Sequence, residues 1–188
     1  TLPVTLPSKT LDIDGDAGVF ATAVAGDWAL LGSPGAFDAD GNSDVGRVDV
    51  LRYQNGDWVP TGQQLQPSSL GAESHFGYSI SMHDTTAVVG APDADGDAGK
   101  VFIYRLNAST STWEEWSEFS PPLATNDMGQ SVAIDWPYLA VGIPSMHFEG
   151  DPSSDTAPGI VQIYKYHDAP TDAFLLLTTI SDPWEGSS

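Results

Sequence analysis

The fold of this chain is decided by residues 76–105, which contain Phe-Gly-Tyr-Ser-Ile (76–80), Ala-Val-Val-Gly-Ala-Pro (87–92) and Gly-Lys-Val-Phe-Ile-Tyr-Arg (99–105). Short runs of β-branched and aromatic residues bounded by glycine and polar turns are typical of β-strands. The first two runs are separated by a short turn containing Asp84 and therefore predict a hairpin. Gly99 opens a third strand.

The same pattern occurs on both sides of this stretch. Its small-residue anchor recurs as Ala-Leu-Leu-Gly-Ser-Pro (29–34) and Leu-Ala-Val-Gly-Ile-Pro (139–144), so that the anchor glycines are 58 and 52 residues apart. We align Phe20–Val24 and Met128–Val132 with Phe76–Ile80, and the glycine-opened third strand recurs from Gly46 and from Gly159. Self-similarity at such a period indicates a stacked repeat architecture.

A fourth strand follows each third strand. The predicted fourth strands are Trp58–Leu65, Trp113–Phe119 and about Phe174–Ile180. Each repeat is therefore predicted to be a four-stranded sheet. Such a sheet can bury both of its faces against neighbouring repeats, which explains apolar runs such as Ala87-Val-Val that do not alternate with polar residues.

The second repeat resembles an FG-GAP repeat. The resemblance rests on Phe76-Gly77, on the Gly-Ala-Pro that ends at Pro92, and on the strand that begins with Gly99. The first and third repeats depart from this pattern, with Gly-Ser-Pro and Gly-Ile-Pro at the anchor, and the resemblance covers about residues 12–182. It implies the β-propeller found in integrin α-subunit heads and in many secreted or surface proteins, where such repeats serve adhesion and protein recognition. It implies no shared catalytic residues. The turns between the first two strands are too short for the integrin-type calcium loop, so those calcium sites are not expected here.

We therefore predict an all-β chain that forms a partial β-propeller of about three four-stranded antiparallel blades. The whole chain is one propeller segment. Its predicted parts are the outer strand of a preceding blade (1–11), blade 1 (12–66), blade 2 (67–122), blade 3 (123–182) and a tail (183–188).

Charge and composition exclude several classes of function. The 188 residues carry 26 Asp and Glu against 6 Lys and Arg, a formal net charge of −20, which repels nucleic acid and anionic membrane surfaces. The chain contains no cysteine, which excludes disulfides and thiolate sites. No apolar run is long enough to span a membrane, and no targeting segment is visible. We expect no nucleic-acid partner and no direct membrane insertion.

Acidic loops between the second and third strands are candidate calcium sites. Alternating oxygen ligands around a glycine suit Ca²⁺, although the glycine is not where an EF-hand loop has it and no bidentate glutamate follows. The alternative is a solvated turn, because Asp and Asn favour turns by bonding their own backbone. The candidate ligands are Asp38, Asp40, Asn42 and Asp44 in the first loop and Asp93, Asp95 and Asp97 in the second.

Other chemistry-bearing residues give weaker signals. The four histidines lack zinc-site spacing, and Asn107-Ala-Ser is a candidate glycosylation acceptor if the protein is secreted by a eukaryote. Five of the six basic residues lie in the third strands, and we expect them to form ion pairs or hydrogen bonds to acidic loops rather than a ligand site. They are Arg47, Arg52, Lys100, Arg105 and Lys165, of which Arg52, Arg105 and Lys165 share one position.

These features favour a non-catalytic module for protein recognition or cell-surface adhesion, in an extracellular, cell-surface or other exported compartment. Its binding loops would be 33–45, 91–98 and 143–158, because these change in length while the rest of the repeat is constant. The alternatives are an accessory subunit of a larger assembly and a carbohydrate-active propeller enzyme. Since three blades leave sheet edges exposed, we expect missing blades, copies of the chain or another subunit to complete the propeller.

Overall fold

Twelve strands in three antiparallel sheets form nearly all the regular structure in a computed structural model of the chain, which describes residues 18–120, 127–144 and 159–181. Blade 1 contains β1 (Ala21–Ala25), β2 (Trp28–Ser33), β3 (Arg47–Gln54) and β4 (Asp57–Leu65). Blade 2 contains β5 (Ser79–His83), β6 (Thr86–Ala91), β7 (Lys100–Asn107) and β8 (Thr112–Phe119). Blade 3 contains β9 (Ser131–Asp135), β10 (Tyr138–Ile143), β11 (Ile160–His167) and β12 (Ala173–Ser181).

Each sheet follows chain order, so every blade is a simple antiparallel meander. The predicted all-β class and the three four-stranded blades are confirmed, and the predicted outer strands agree with β4, β8 and β12 to within about one residue at each end. The single helical element, in the part of the chain that the structure describes, is the turn α1 (Ala94–Asp97), in which Asp95 and Gly96 are left-handed.

The predicted start of the first strand is three residues too early in blades 2 and 3. In blade 2 that strand begins at Ser79, because Phe76 forms an isolated parallel bridge to Gly46 and its N–H donates to the carbonyl oxygen of Val45 at 2.9 Å. Met128 makes the same kind of bridge to Gly99. The residues before the first strand therefore belong to the junction between blades; we call 66–78 and 127–130 the lead-in segments of blades 2 and 3.

The alignment of Phe20 with Phe76 is also wrong. The N–H of Phe20 donates to the carbonyl oxygen of Gly32 at 2.8 Å, as the N–H of Gly77 does to that of Gly90 at 3.0 Å. Strand register pairs Ala21 with Gly32 as it pairs Ser79 with Gly90, so Phe20 stands at the place of Tyr78. It is 62% exposed and its ring lies 4.7 Å from that of Tyr78. The shared phenylalanine misled the alignment, because the register of β1 is set by its pairing with β2.

Glycine pairs hold neighbouring blades together. The Cα atom of Gly32 in β2 lies so close to Gly77 that a methyl group at Gly32 would overlap the Gly77 carbonyl oxygen. Gly90 in β6 has the same relation to Gly129. Gly77 and Gly129 have φ of 89° and 91°, a left-handed conformation that glycine adopts without a steric penalty. Two of the anchor glycines found in the sequence are therefore contact points between blades.

The hydrophobic core lies between the blades. One cluster joins blades 1 and 2, and a second joins blades 2 and 3. Within β6, Val89 belongs to the first cluster and Val88 to the second, and both are fully buried. Because a blade between two others packs on both sides, its strands lose the alternation of apolar and polar residues.

Some predictions concern residues outside the described part of the chain. These are the outer strand at 1–11, the tail at 183–188 and all but the start of the loop at 143–158. Among the described residues, no helix is long and apolar enough to cross a membrane.

Candidate functional site

The two described loops of variable length, in blades 1 and 2, lie at one end of the blades together with the lead-in segments. Backbone hydrogen bonds join them: the N–H of His75 donates to the Asp44 carbonyl oxygen at 2.9 Å, and the N–H of Asp127 donates to that of Asp97 at 2.8 Å. We call this end the loop face. It is formed by the described residues 34–46, 66–78, 92–99 and 127–130.

The first loop is organised around Asp38. Its carboxylate accepts hydrogen bonds from the Asp40 N–H at 3.0 Å, the Asn42 N–H at 2.8 Å and the Asn42 side-chain amide at 2.7 Å. These bonds lower the pKa of Asp38 below its usual value, and the bond from the Asn42 side chain has the largest effect. The adjacent side chain of Phe37 is 61% exposed, so this loop presents an apolar ring beside carboxylates.

The second loop connects the blades through its carboxylates. Asp93 pairs with Nδ1 of His75, whose backbone also bonds to the first loop. Burial, assisted by the nearby carboxylates of Asp93 and Asp97, raises the pKa of Asp127. A continuous acidic strip therefore runs from the first loop through His75 and Asp93 to Asp127 in blade 3.

Lysine and arginine add little positive charge to this face among its described residues. Lys100 lies 3.0 Å from Asp95 and 3.9 Å from Glu118 and its side chain is 10% exposed, while Arg47 is paired with Asp49 at 3.3 Å. The accessible charge of the strip is therefore mainly negative. The prediction that cations pair with acidic loops is confirmed for Lys100.

The candidate calcium ligands fall into two separate groups, one in each loop. Asp38 and Asn42 are brought together by their own hydrogen bonds, and Asp93 and Asp95 pair with His75 and Lys100. Within the described ranges, no group of three or more His, Asp or Glu side chains is arranged to hold a metal ion. A calcium site and a solvated turn therefore stay the two alternatives for these loops.

Asn107 is the last residue of β7, at the opposite end of blade 2 and just before the turn to β8. Its side-chain oxygen accepts a hydrogen bond from the Ser109 N–H at 2.9 Å, and its amide donates to Glu114 at 2.9 Å. The side chain is thus part of the turn. Its modification stays a prediction.

Arg105 forms a cation–aromatic cluster at that same end, between blades 2 and 3. Its Cζ atom lies 3.3 Å from the ring centroid of Trp116, 5.3 Å from that of Tyr166 and 5.9 Å from that of Trp136. An oxygen of Asp172 lies 3.6 Å from the guanidinium and accepts a hydrogen bond from the Tyr166 hydroxyl at 2.5 Å. The expected ion pair is thus present.

The aromatic contacts of the shared basic position were missed by the sequence interpretation. The other two basic residues at this position also contact rings: Arg52 lies 5.0 Å from the ring centroid of Trp28, and Lys165 lies 5.8 Å from that of Tyr138. The sequence contained a signal for these contacts. Trp28 and Tyr138 are each the first residue of the second strand of their blade, and each pairs directly with the basic residue of the third strand.

Comparison with known proteins agrees with this geometry. Residues 62–104, from the end of β4 to β7, match the family model described as FG-GAP repeat. The chain carries an FG-GAP repeat. The matched segment contains the lead-in segment of blade 2 from Gln66 onward, which places Gly77 against Gly32, and it ends in the third strand opened by Gly99. A search of curated proteins finds no match to the sequence.

Solved structures support the fold. The chain is similar to Sqt1 from Saccharomyces cerevisiae, with 13% identity and a TM-score of 0.53 over 87% of this chain and 35% of that chain. It is also similar to a hypothetical selenium-binding protein from Sulfolobus tokodaii, with 10% identity and a TM-score of 0.53 over 82% of this chain and 38% of that one. At these identities the likeness concerns the fold alone. The chain, with its three propeller-like blades, spans little more than a third of the length of either structure.

Proposed function

We propose that this module is non-catalytic and recognises a basic surface of a protein partner through its loop face. The observation that carries the proposal is the acidic strip from Asp38 to Asp127, with the exposed ring of Phe37 beside it. An exposed aromatic ring supplies contact area, and the carboxylates steer and orient a cationic partner. The variation in loop length between repeats supports recognition, because binding residues are common in loops carried by a rigid scaffold.

The location of this activity is part of the proposal. The FG-GAP resemblance supports the cell surface or another exported compartment, and an acidic, cysteine-free chain is compatible with both. Fractionation of the source cells tests the location separately from binding, since recovery only in the cytosol would contradict this part of the proposal alone.

A capture experiment with paired variants tests the recognition surface. The loop-face variant combines Phe37→Ser, Asp40→Asn and Asp97→Asn, three residues whose side chains are exposed. The control variant combines Tyr53→Ser, Asp27→Asn and Asp84→Asn at the opposite end, so that it removes the same number of aromatic rings and charges. We expect wild type and control to retain the same partner from an extract of the source cells, and the loop-face variant to lose it.

The purified partner then gives the quantitative result. We expect its Kd to rise at least about tenfold for the loop-face variant, and to rise with ionic strength for wild type because screening weakens exposed charge pairs. Equal retention by the loop-face variant, or equal loss by the control, would show that the surface lies elsewhere.

A second candidate function is that of an accessory subunit in a larger assembly. It is favoured by apolar side chains exposed on the first strand of blade 1 and on blade 3, namely Val24 at 61%, Val161 at 39% and Ile180 at 55%. Apolar contacts survive high salt, whereas binding through the acidic strip weakens. Cofractionation that persists in molar salt would therefore favour the subunit role over the recognition role.

A further inference from the structure

The outer strand of blade 3 lacks the protection that the other two outer strands have. β12 lies at the edge of its sheet, so one side of its backbone has no partner strand among the described residues. An edge strand of this kind can pair with a strand of another molecule, and proteins commonly prevent this with charged residues or proline. The sequence of β12, Ala-Phe-Leu-Leu-Leu-Thr-Thr-Ile-Ser (173–181), contains neither.

The strand register shows which residues of β8 and β12 correspond. In blade 2 the third strand pairs with three glutamates of β8, which are Glu114, Glu115 and Glu118. The uncharged residues that take these places in β12 are Leu175, Leu176 and Thr179. All three negative charges of β8 are therefore replaced in β12 by residues that do not repel another strand.

The outer strand of blade 1 is protected in a different way. Its Pro60 pairs with Leu51 in the third strand, at the position that Glu115 has in blade 2 and Leu176 has in blade 3. Proline has no N–H to offer to an approaching strand, so it blocks pairing at an edge. One position thus carries a protective residue in blades 1 and 2 and an unprotected leucine in blade 3.

The exposure of these positions belongs to outer strands in general and does not depend on a missing neighbour. Blade 2 lies between two other blades, yet Glu114 and Glu115 are exposed there. In β12, Leu175 and Leu176 are each 46% exposed, and Leu177, the extra residue of a β-bulge, is 57% exposed. Another blade beside blade 3 would therefore leave the backbone edge of β12 open.

Electrostatics makes this edge the most favourable place for two copies of the chain to meet. The net charge of −20 makes two copies repel each other over most approaches. Among the described outer strands, β4 contains Asp57 and β8 contains glutamates, whereas β12 contains no charged residue. Two β12 strands can therefore lie side by side without placing like charges opposite each other.

We propose that two copies of this chain associate through their β12 strands, which pair antiparallel about a twofold axis. The free backbone groups of the two edges then bond to each other, and the two sheets of blade 3 become one sheet of eight strands. With the axis at Leu177, Leu176 of each copy lies opposite Thr178 of the other. The contact is at the outer edge of the blades, so it joins two molecules and adds no blade to either.

Sedimentation of the purified natural chain tests association, and two double variants test its location. The edge variant, Leu175→Glu with Leu176→Glu, gives β12 the charges that β8 carries at these positions. The control variant, Val24→Glu with Val161→Glu, adds the same charge at exposed apolar residues outside β12. We expect the natural chain and the control to form a dimer with a Kd of about micromolar magnitude, and the edge variant to raise that Kd at least about tenfold.

Salt and amide exchange give two further measurements on the natural chain, which hold even if the edge variant does not fold. Raising the NaCl concentration to about 0.5 M should lower the dimer Kd, because it screens the repulsion between two acidic copies. The N–H groups of β12 that do not bond to β11 should exchange at least about tenfold more slowly in the dimer, since exchange then requires opening of the strand pair.

Three results would overturn the proposal. The first is a natural chain that stays monomeric at a concentration of about 0.1 mM in about 0.5 M NaCl. The second is a dimer that the control variant weakens as much as the edge variant does, because the copies would then meet through other surfaces. The third is a dimer in which the amides of β12 exchange as fast as in the monomer.

Discussion

The side-chain amide of Gln63 in β4 forms two hydrogen bonds with the backbone of Trp113 in β8. It donates to the Trp113 carbonyl oxygen at 2.6 Å and accepts from the Trp113 N–H at 3.0 Å. A single side chain therefore pairs with the outer strand of the next blade in the manner of a neighbouring backbone. Trp113 is 2% exposed, and the two bonds to Gln63 are partly buried.

Replacing Gln63 will weaken the junction of blades 1 and 2. We expect Gln63→Ala to lower the free energy of unfolding by about 1–3 kcal/mol, because it leaves buried backbone groups of Trp113 without partners. Chemical denaturation followed by tryptophan fluorescence measures the change. The control is Gln54→Ala at the exposed end of β3, and an equal loss in both variants would contradict a specific role for the amide.

A methyl group at Gly90 will prevent close packing of blades 2 and 3. Gly90→Ala would overlap the backbone of Gly129, which cannot move without displacing β9, and we expect a loss of about 3 kcal/mol or more. The matched control is Gly71→Ala, where nothing lies within 4 Å and φ is not positive. Thermal unfolding compares the two, and a Gly90→Ala variant as stable as Gly71→Ala would refute the close approach.

Arg105 will contribute more to stability than Arg52. We expect Arg105→Gln to cost about 1–2 kcal/mol, since it removes a partly buried guanidinium from Trp116, Tyr166 and Asp172. Arg52→Gln, which removes a cation from the ring of Trp28, should cost about half as much or less. Urea denaturation of both variants measures the difference, and the reverse order of stability would contradict the assigned contacts.

Asp127 will make stability depend on pH. Its pKa is raised in the folded state, so its ionised form is disfavoured there and reduces stability at neutral pH. We expect Asp127→Asn to gain up to about 1 kcal/mol at pH 7. The gain should shrink as the pH falls through the folded pKa and vanish below the usual value of 3.8, where both states are protonated. Unfolding curves between pH 3 and 7 measure this, and Asp40→Asn, at an exposed loop residue, is the comparison variant.

Calcium titration separates the two interpretations of the first loop. Asp38 already accepts bonds from Asp40 and Asn42, which calcium would have to displace, so we expect millimolar calcium to leave the melting temperature unchanged. A rise that disappears in Asp40→Asn would instead establish a calcium site between Asp38 and Asp44.

Much of the fold could be predicted from local patterns. The local sequence was sufficient to predict the outer strands and the third strands that begin near Gly46, Gly99 and Gly159. Runs of β-branched residues between turn residues specify strands with little help from distant residues. Strand starts were less accurate. Phe76 has the composition of a strand residue, but its hydrogen bond goes to Val45 in the preceding blade, a partner that the local sequence does not reveal.

The positions of the acidic loops could be predicted from the sequence, but the contacts that join them could not. Sequence placed Asp38–Asp44 and Asp93–Asp97 in loops of one kind, and the variation in loop length pointed to one end of the blades. The strip through His75 and Asp127 could not be predicted, since each of its contacts joins residues from different loops or blades.

The sequence by itself therefore determined the repeat, the four strands of each unit and the acidic loops, because periodicity and turn chemistry act over a few residues. Tertiary structure alone decided that Gln63 hydrogen-bonds to the backbone of Trp113 and that the backbone of Gly129 packs against Gly90. It also decided that Arg105 lies against Trp116 and Tyr166. These relations depend on how one blade is placed on the next. Close packing across that junction, with no space for a methyl group at Gly90, converts repeated strands into an ordered array of blades.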